Sequence, residues 1–226
     1  MGTVDSGSGG VIGGRFASEL PAELLIERGE LARRIGELGA TLAEFYRADE
    51  PPVLIGVLKG STLFLADLIR AMHIHVVVDF MSISSYSHSG VVRIVKDLDE
   101  DVRDRHVVIV EDIVDTGLTL NYLRKTLQQR QPASLRAVTL LDKTARRIIP
   151  VALEYSAFEI PDVFVVGYGL DFQGFYRNAP DILAVRDVAR LANDPRLLIA
   201  QLFGAKRREE RGLQPPQPPL GSGLEG

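Results

Sequence analysis

Residues 107–119 read VVIVEDIVDTGLT, and the reading of this stretch decides the fold. Four β-branched residues run into two adjacent carboxylates, Glu111 and Asp112. Two apolar residues follow, then Asp115, Thr116, Gly117, Leu118 and Thr119, and an apolar helical pattern begins at once. An all-apolar run of this length marks a strand buried on both faces. Adjacent carboxylates on an extended backbone point to opposite faces, yet where the chain turns both can reach one ligand. They suit sugar hydroxyls or magnesium, which prefers hard oxygen ligands. The turn that follows resembles a nest of N–H groups at a helix start, fit for a phosphate monoester, with Gly117 allowing close backbone approach. Read alone, the same turn is equally an ordinary helix cap by Asp115 or Thr116.

Working outward, a second all-apolar run, VLIGVL at 53–58, is followed by Lys59-Gly60-Ser61 and an amphipathic helix to about Met72. Further strands are expected at 76–84, 91–95, 135–141, 163–166 and 182–185, with residues 22–26 either a strand or the lead-in to a helix. Leu31, Ile35, Leu38, Leu42 and Phe45 recur at helical spacing, which predicts a helix over 28–47, stopped by Pro51 and Pro52. Another helix is expected over 116–129, and a last short one capped by Asn193-Asp194-Pro195 and ending near Phe203. Buried strands alternating with helices indicate an α/β fold with a largely parallel sheet, whose ligands bind beyond the carboxyl ends of the strands.

The composition limits the function classes. The chain has 226 residues, 46% apolar and 25% charged, which suits one globular domain with appendages. With no cysteine, thiolate catalysis, disulfides, Cys-type zinc sites and iron–sulfur clusters are excluded. A net charge of −4 gives no broad basic field, so nucleic acid is not an expected partner. The one dense basic cluster, in residues 206–211, includes two glutamates. No apolar run approaches the roughly 18 residues of a membrane span. Residues 1–15 and 205–226 are rich in Gly, Ser and Pro and are expected to be disordered, leaving a folded domain over 16–204. With no signal-peptide pattern at the start, a cytoplasmic protein is expected. Competing phosphate motifs fail: there is no G-x-G-x-x-G after a strand, and residues 56–62 do not spell a P-loop. His73-x-His75 brackets one apolar residue at a strand start and lacks further ligands for a metal.

The stretch VVIVEDIVDTGLT resembles the signature of the type I phosphoribosyltransferases, which bind phosphoribosyl pyrophosphate. LKGS at 58–61, SSY at 84–86, VTLLDKT at 138–144 and EIPDVFVVGYGLDFQGFYR at 159–177 extend the resemblance to the hypoxanthine-guanine branch of that family, over about residues 25–190. The resemblance implies a mostly parallel five-stranded core sheet flanked by helices, with a small hood. It implies transfer of the 5-phosphoribosyl group to N9 of hypoxanthine or guanine, giving IMP or GMP and pyrophosphate. It also implies a homodimer or homotetramer. Xanthine is a further base that these residues do not rank against the other two.

By motif, Glu111 and Asp112 would contact the ribose hydroxyls, directly or through magnesium. Residues Asp115, Thr116, Gly117, Leu118 and Thr119 would bind the 5′-phosphate, Leu118 through its backbone only. Asp115 would act as general base near N7 of the purine. Lys59, Gly60 and Arg177 would hold pyrophosphate. Lys143 would donate to the exocyclic O6, Phe164 would stack on the base, and the Val165 backbone would read its edge. Asp171 would help bind a second magnesium, beside backbone that receives a guanine amino group. Ser85 and Tyr86 would begin a mobile lid.

The residues themselves leave alternatives open. Lys143 closes a buried strand, where an ammonium needs either a ligand or an acid such as Asp142. Phe164 within VFVV also reads as core, and Asp171 as a turn residue.

Overall fold

A computed structural model describes residues 21–47, 49–85 and 92–204 of the chain, with Ser85 and Val92 described in their backbone only. The two all-apolar runs lie side by side at its centre. Strand β2 (Val53–Leu58) pairs in parallel with β5 (His106–Val114), Val53 opposite Val107 and Gly56 opposite Val110. Around them a six-stranded sheet has the order β4-β3-β2-β5-β6-β7, formed with β3 (Val77–Ser85), β4 (Val92–Lys96), β6 (Ser134–Asp142) and β7 (Tyr155–Glu159). Every pairing is parallel except β3 with β4 at one edge, so five strands form the parallel core the family resemblance implies.

Alternation along the strands feeds two cores. Leu54, Val108, Val110, Val138 and Leu140 face α1 (Arg28–Ala43) and α2 (Thr62–Met72), meeting Leu31, Ile35, Leu38 and Leu42 from one helix and Phe64, Leu65, Leu68 and Met72 from the other. On the opposite face Val53, Ile55, Val107 and Ile109 pack with Leu120, Leu123 and Leu127 of α3 (Leu118–Gln128). Both faces are covered, as a parallel sheet requires.

A smaller antiparallel sheet, β1-β9-β8, joins β1 (Ala22–Ile26), β9 (Ile182–Val185) and β8 (Phe164–Val166), with α4 (Val188–Asn193) and α5 (Ile199–Phe203) packed on it through Leu191, Leu198 and Leu202. This is the hood, and it resolves residues 22–26 as a strand. Asp181 fastens it to the start of α1, accepting from the backbone N and guanidinium of Arg28 at 2.7–3.0 Å.

Three expected boundaries differ. The first helix stops at Ala43, and Phe45, half-exposed, leaves the helical stripe to meet the Tyr155 ring at 5.8 Å with Arg136 over its face. The signature helix starts at Leu118, because Gly117 at φ 85° cannot be helical. Asp194 does not cap the last helix: Asp187 caps α4, accepting from Arg190 N at 2.8 Å, and α5 begins only at Ile199. Strand β7 was not expected at all. The segments 1–15 and 205–226 lie outside the described residues, and among those described no helix is long and apolar enough to cross a membrane.

Candidate active site

Beyond the carboxyl ends of β2 and β5 the chain encloses a cavity of about 380 Å³. Lys59 and Gly60 form one wall, Glu111 and Asp112 the floor, and Asp115, Thr116, Gly117 and Thr119 another wall, with Asp171 and Arg177 opposite. The signature thus gathers around one space, although Glu111 and Asp112 are not terminal on β5, which continues to Val114.

The floor is electrostatically unusual. Glu111 is 4% exposed, and its Oε1 has no hydrogen-bond donor. Burial, with the Asp112 charge beside it, holds its carboxyl well above the usual range. Asp112 accepts from Ile113 N at 3.0 Å, but burial prevails and pushes its carboxyl up to about 6. Arg177 opposes that rise and Asp171 adds to it.

Glycines let the walls close on these carboxylates. A Cβ on Gly60 would stand 1.5 Å from Asp112 Oδ2. Gly169, at φ 97°, presses on the same loop, where a Cβ would stand 2.1 Å from Gly60 O. Arg177 spans this contact, donating to Gly169 O at 2.7 Å and pairing with Asp171 Oδ1 at 2.7 Å. Tyr168 donates from its hydroxyl to Asp67 of α2, which pins the same loop to the helix after Lys59-Gly60.

Asp171 Oδ2 accepts from Gly174 N, so both of its oxygens are engaged. Among the described residues no three His, Cys, Asp or Glu side chains cluster closely enough to hold a metal ion by themselves.

The wall formed by residues 115–119 is a turn held from behind. Thr116 O accepts from Ile148 N at 3.0 Å and also from Ile149 N, while Leu118 N donates to Thr116 Oγ1 at 3.4 Å. The N–H groups of Thr116, Gly117 and Thr119 meet no acceptor among the described residues, as expected of a helix start. The Leu118 side chain is half-exposed and does not line the cavity.

A second cavity of about 320 Å³ shares Asp112, Asp115 and Asp171 with the first and adds Lys143, Arg146, Phe164 and Val165. Lys143 is 5% exposed. Asp142, the acid weighed as its partner, is taken by Arg147, and no described acid lies within ion-pair distance of Lys143. Phe164 is partly buried on the cavity wall, edge-on to Phe172 at 5.8 Å, so it is not simple core. Val165 is buried on β8. Of the expected lid, Ser85 ends β3 in its backbone, and Tyr86 lies outside the described residues.

Two residues that sequence reasoning passed over stand at this junction. Arg146 Nε lies 3.5 Å from Asp115 Oδ1. The Arg147 stem lies beneath Gly117, where a Cβ would stand 3.0 Å from its Cδ. The doublet after Lys143 was the available signal, but an arginine pair in a turn looks like any solvated surface.

An open parallel sheet that closes two linked polar cavities with an acidic strand end, a helix-start turn of free N–H groups and a basic loop defines a protein suited to sugar phosphates. Residues 28–173 match the phosphoribosyl transferase domain model, and the chain belongs to that family, in its hypoxanthine-guanine branch. It is 48% identical to the hypoxanthine phosphoribosyltransferase of Escherichia coli (strain K12), over 71% of this chain and 93% of that one. It is 42% identical to the hypoxanthine-guanine phosphoribosyltransferase of Streptococcus pneumoniae (strain ATCC BAA-255 / R6), over 73% and 93%. The solved structure of the Trypanosoma cruzi hypoxanthine phosphoribosyltransferase in complex with the product IMP superposes with a TM-score of 0.71 at 43% identity, over 74% of this chain and 96% of that one.

Proposed function

We propose that the protein transfers the 5-phosphoribosyl group of phosphoribosyl pyrophosphate to N9 of hypoxanthine or guanine, releasing pyrophosphate and yielding IMP or GMP. The observation that carries this reading is Lys143. Lys143 is a buried residue with no acid within ion-pair distance, and it lines a cavity beside an aromatic wall, so its ammonium is left for a ligand. The exocyclic O6 of a 6-oxopurine would satisfy it, whereas the amino group of adenine would not.

In this reading Phe164 stacks on the base and the Val165 backbone reads its edge. The N–H groups of residues 116–119 hold the 5′-phosphate, aided by the α3 dipole. Glu111 and Asp112 bind the ribose hydroxyls. Lys59, the Gly60 backbone and Arg177 stabilise the charge that develops on the leaving pyrophosphate. Asp115 accepts the purine proton, and a lid begun by Ser85 and Tyr86 excludes water from the ribosyl centre.

The donor set also fits magnesium, since the orphaned Glu111 Oε1 and the Asp112 carboxylate are hard oxygens. One or two of the carboxylates Glu111, Asp112 and Asp171 would hold it together with substrate oxygens. When bound, magnesium neutralises pyrophosphate charge. The same reading carries a cytoplasmic catalytic unit over 16–204, assembled as a homodimer or homotetramer.

The test is pyrophosphate release with magnesium, phosphoribosyl pyrophosphate and each of adenine, hypoxanthine, guanine and xanthine. Release is expected with hypoxanthine and guanine and not with adenine. No release with any base refutes the reading.

A further inference from the structure

Resting on that transferase reading, we propose that Arg146 is the positioning residue for the proton acceptor Asp115. A general base works only if its carboxylate is aimed at the proton it takes. Asp115 sits on the turn between β5 and α3, and its Oδ1 is buried yet receives no hydrogen bond. The ionic contact to that oxygen comes from Arg146 Nε at 3.5 Å.

Arg146 is itself held from a second side, because the same Nε stands 3.6 Å from Asp162 Oδ1. Asp162 lies two residues before β8, the strand that carries Phe164 and Val165. The guanidinium is therefore strung between the turn that would take the purine proton and the wall that would stack on the purine, and it lines the base cavity with Lys143. Backbone geometry supports the placement: Arg146 N donates to Lys143 O at 3.1 Å, closing a single 3-10 turn, Thr144–Arg146, that brings the side chain back over the cavity.

Arg146 and Asp115 are each about half-exposed or less in their side chains, and neither belongs to a buried hydrophobic cluster. Replacing Arg146 thus leaves the packing of the fold intact, and its consequence falls on how long the carboxylate keeps a productive orientation. Nothing in the 5′-phosphate wall leans on Arg146, since Thr116 O is held by Ile148 and Ile149.

The experiment compares wild type, Arg146→Met and Arg146→Lys as full-length chains, measuring IMP formation from hypoxanthine and phosphoribosyl pyrophosphate with magnesium. Arg146→Met is expected to lower kcat about 10-fold by misorienting the acceptor, with the KM for phosphoribosyl pyrophosphate within about twofold of wild type. Arg146→Lys, which keeps a cation within reach of Asp115, is expected to recover kcat to within about threefold. A kcat for Arg146→Met within about twofold of wild type overturns the proposal. So does a rise in the KM for phosphoribosyl pyrophosphate that accompanies the fall in kcat, or a Lys variant no better than Met. A wild type that makes product from no base refutes the transferase reading and this role with it. An active wild type beside an unimpaired Arg146→Met refutes this role alone.

Discussion

Asp112→Asn is expected to make the protein more stable and a poorer enzyme, by an amount that depends on pH. Asparagine keeps the shape of the side chain and the acceptor for Ile113 N, and removes only the charge. In the folded chain the Asp112 carboxyl holds its proton up to about 6, against an ordinary 3.8. Between those pH values the folded state keeps a proton that the unfolded chain has released, so wild-type stability falls as pH rises and the full penalty is present above about pH 7. At about 1.4 kcal/mol for each tenfold step, the whole difference is about 3 kcal/mol at pH 8 and about 0.5 kcal/mol at pH 4. Relief of Glu111, whose carboxyl is also held up by the Asp112 charge, acts in the same direction.

For a chain of this size the gain at pH 8 corresponds to a rise in Tm of roughly 5–10 °C. Urea unfolding of both proteins at pH 4, 6 and 8 measures it. The gain should grow steeply between pH 4 and 6 and level off by pH 8, while kcat/KM for phosphoribosyl pyrophosphate falls at least about 10-fold. A variant no more stable than wild type at pH 8, or a gain that does not change with pH, would refute the claim that this carboxylate is a buried and costly charge.

Lys143→Met should retain the fold, since no acid is left unpaired, and should lower kcat/KM for hypoxanthine by about 100-fold in the same assay. Gly169→Ala puts a Cβ 2.1 Å from Gly60 O at a positive φ. Strain and clash together should cost about 2–4 kcal/mol in urea unfolding, with a raised KM for phosphoribosyl pyrophosphate. Arg147→Met strands the Asp142 carboxylate, 14% exposed, and should cost about 3 kcal/mol; Asp142→Asn in the same chain should recover most of it.

The central strands and the site were legible in the sequence for the same reason. Apolar runs such as 53–58 and 107–110 leave no room for a surface position, so carboxylates and a lysine at their ends stand out as anomalies that need a ligand. Strand β7 lacked that contrast, for within YSAFE only Ala157 is fully buried, which is how an edge strand reads. The Asp142 partner was equally hidden. Sequence adjacency favours Lys143, yet the turn after it brings Arg147 back to the acid. Contacts such as Gly60 with Gly169 join segments far apart in the chain, and no local pattern records them.

The hood has a consequence for how the protein comes into being. Its sheet is closed by Ala22–Ile26 pairing with Ile182–Val185, so the first of these segments must wait for one far further along the chain to be synthesised. By then β2, β5 and β6 have all been synthesised, and β5 can pair with β6 across the single helix α3. The nascent chain therefore carries its acidic strand end before Asp171 and Arg177 exist to face it. An unfinished copy holds the Glu111 and Asp112 carboxylates without the arginine that relieves Asp112, which makes arrival of the Asp171–Arg177 loop the step that settles the centre of the molecule.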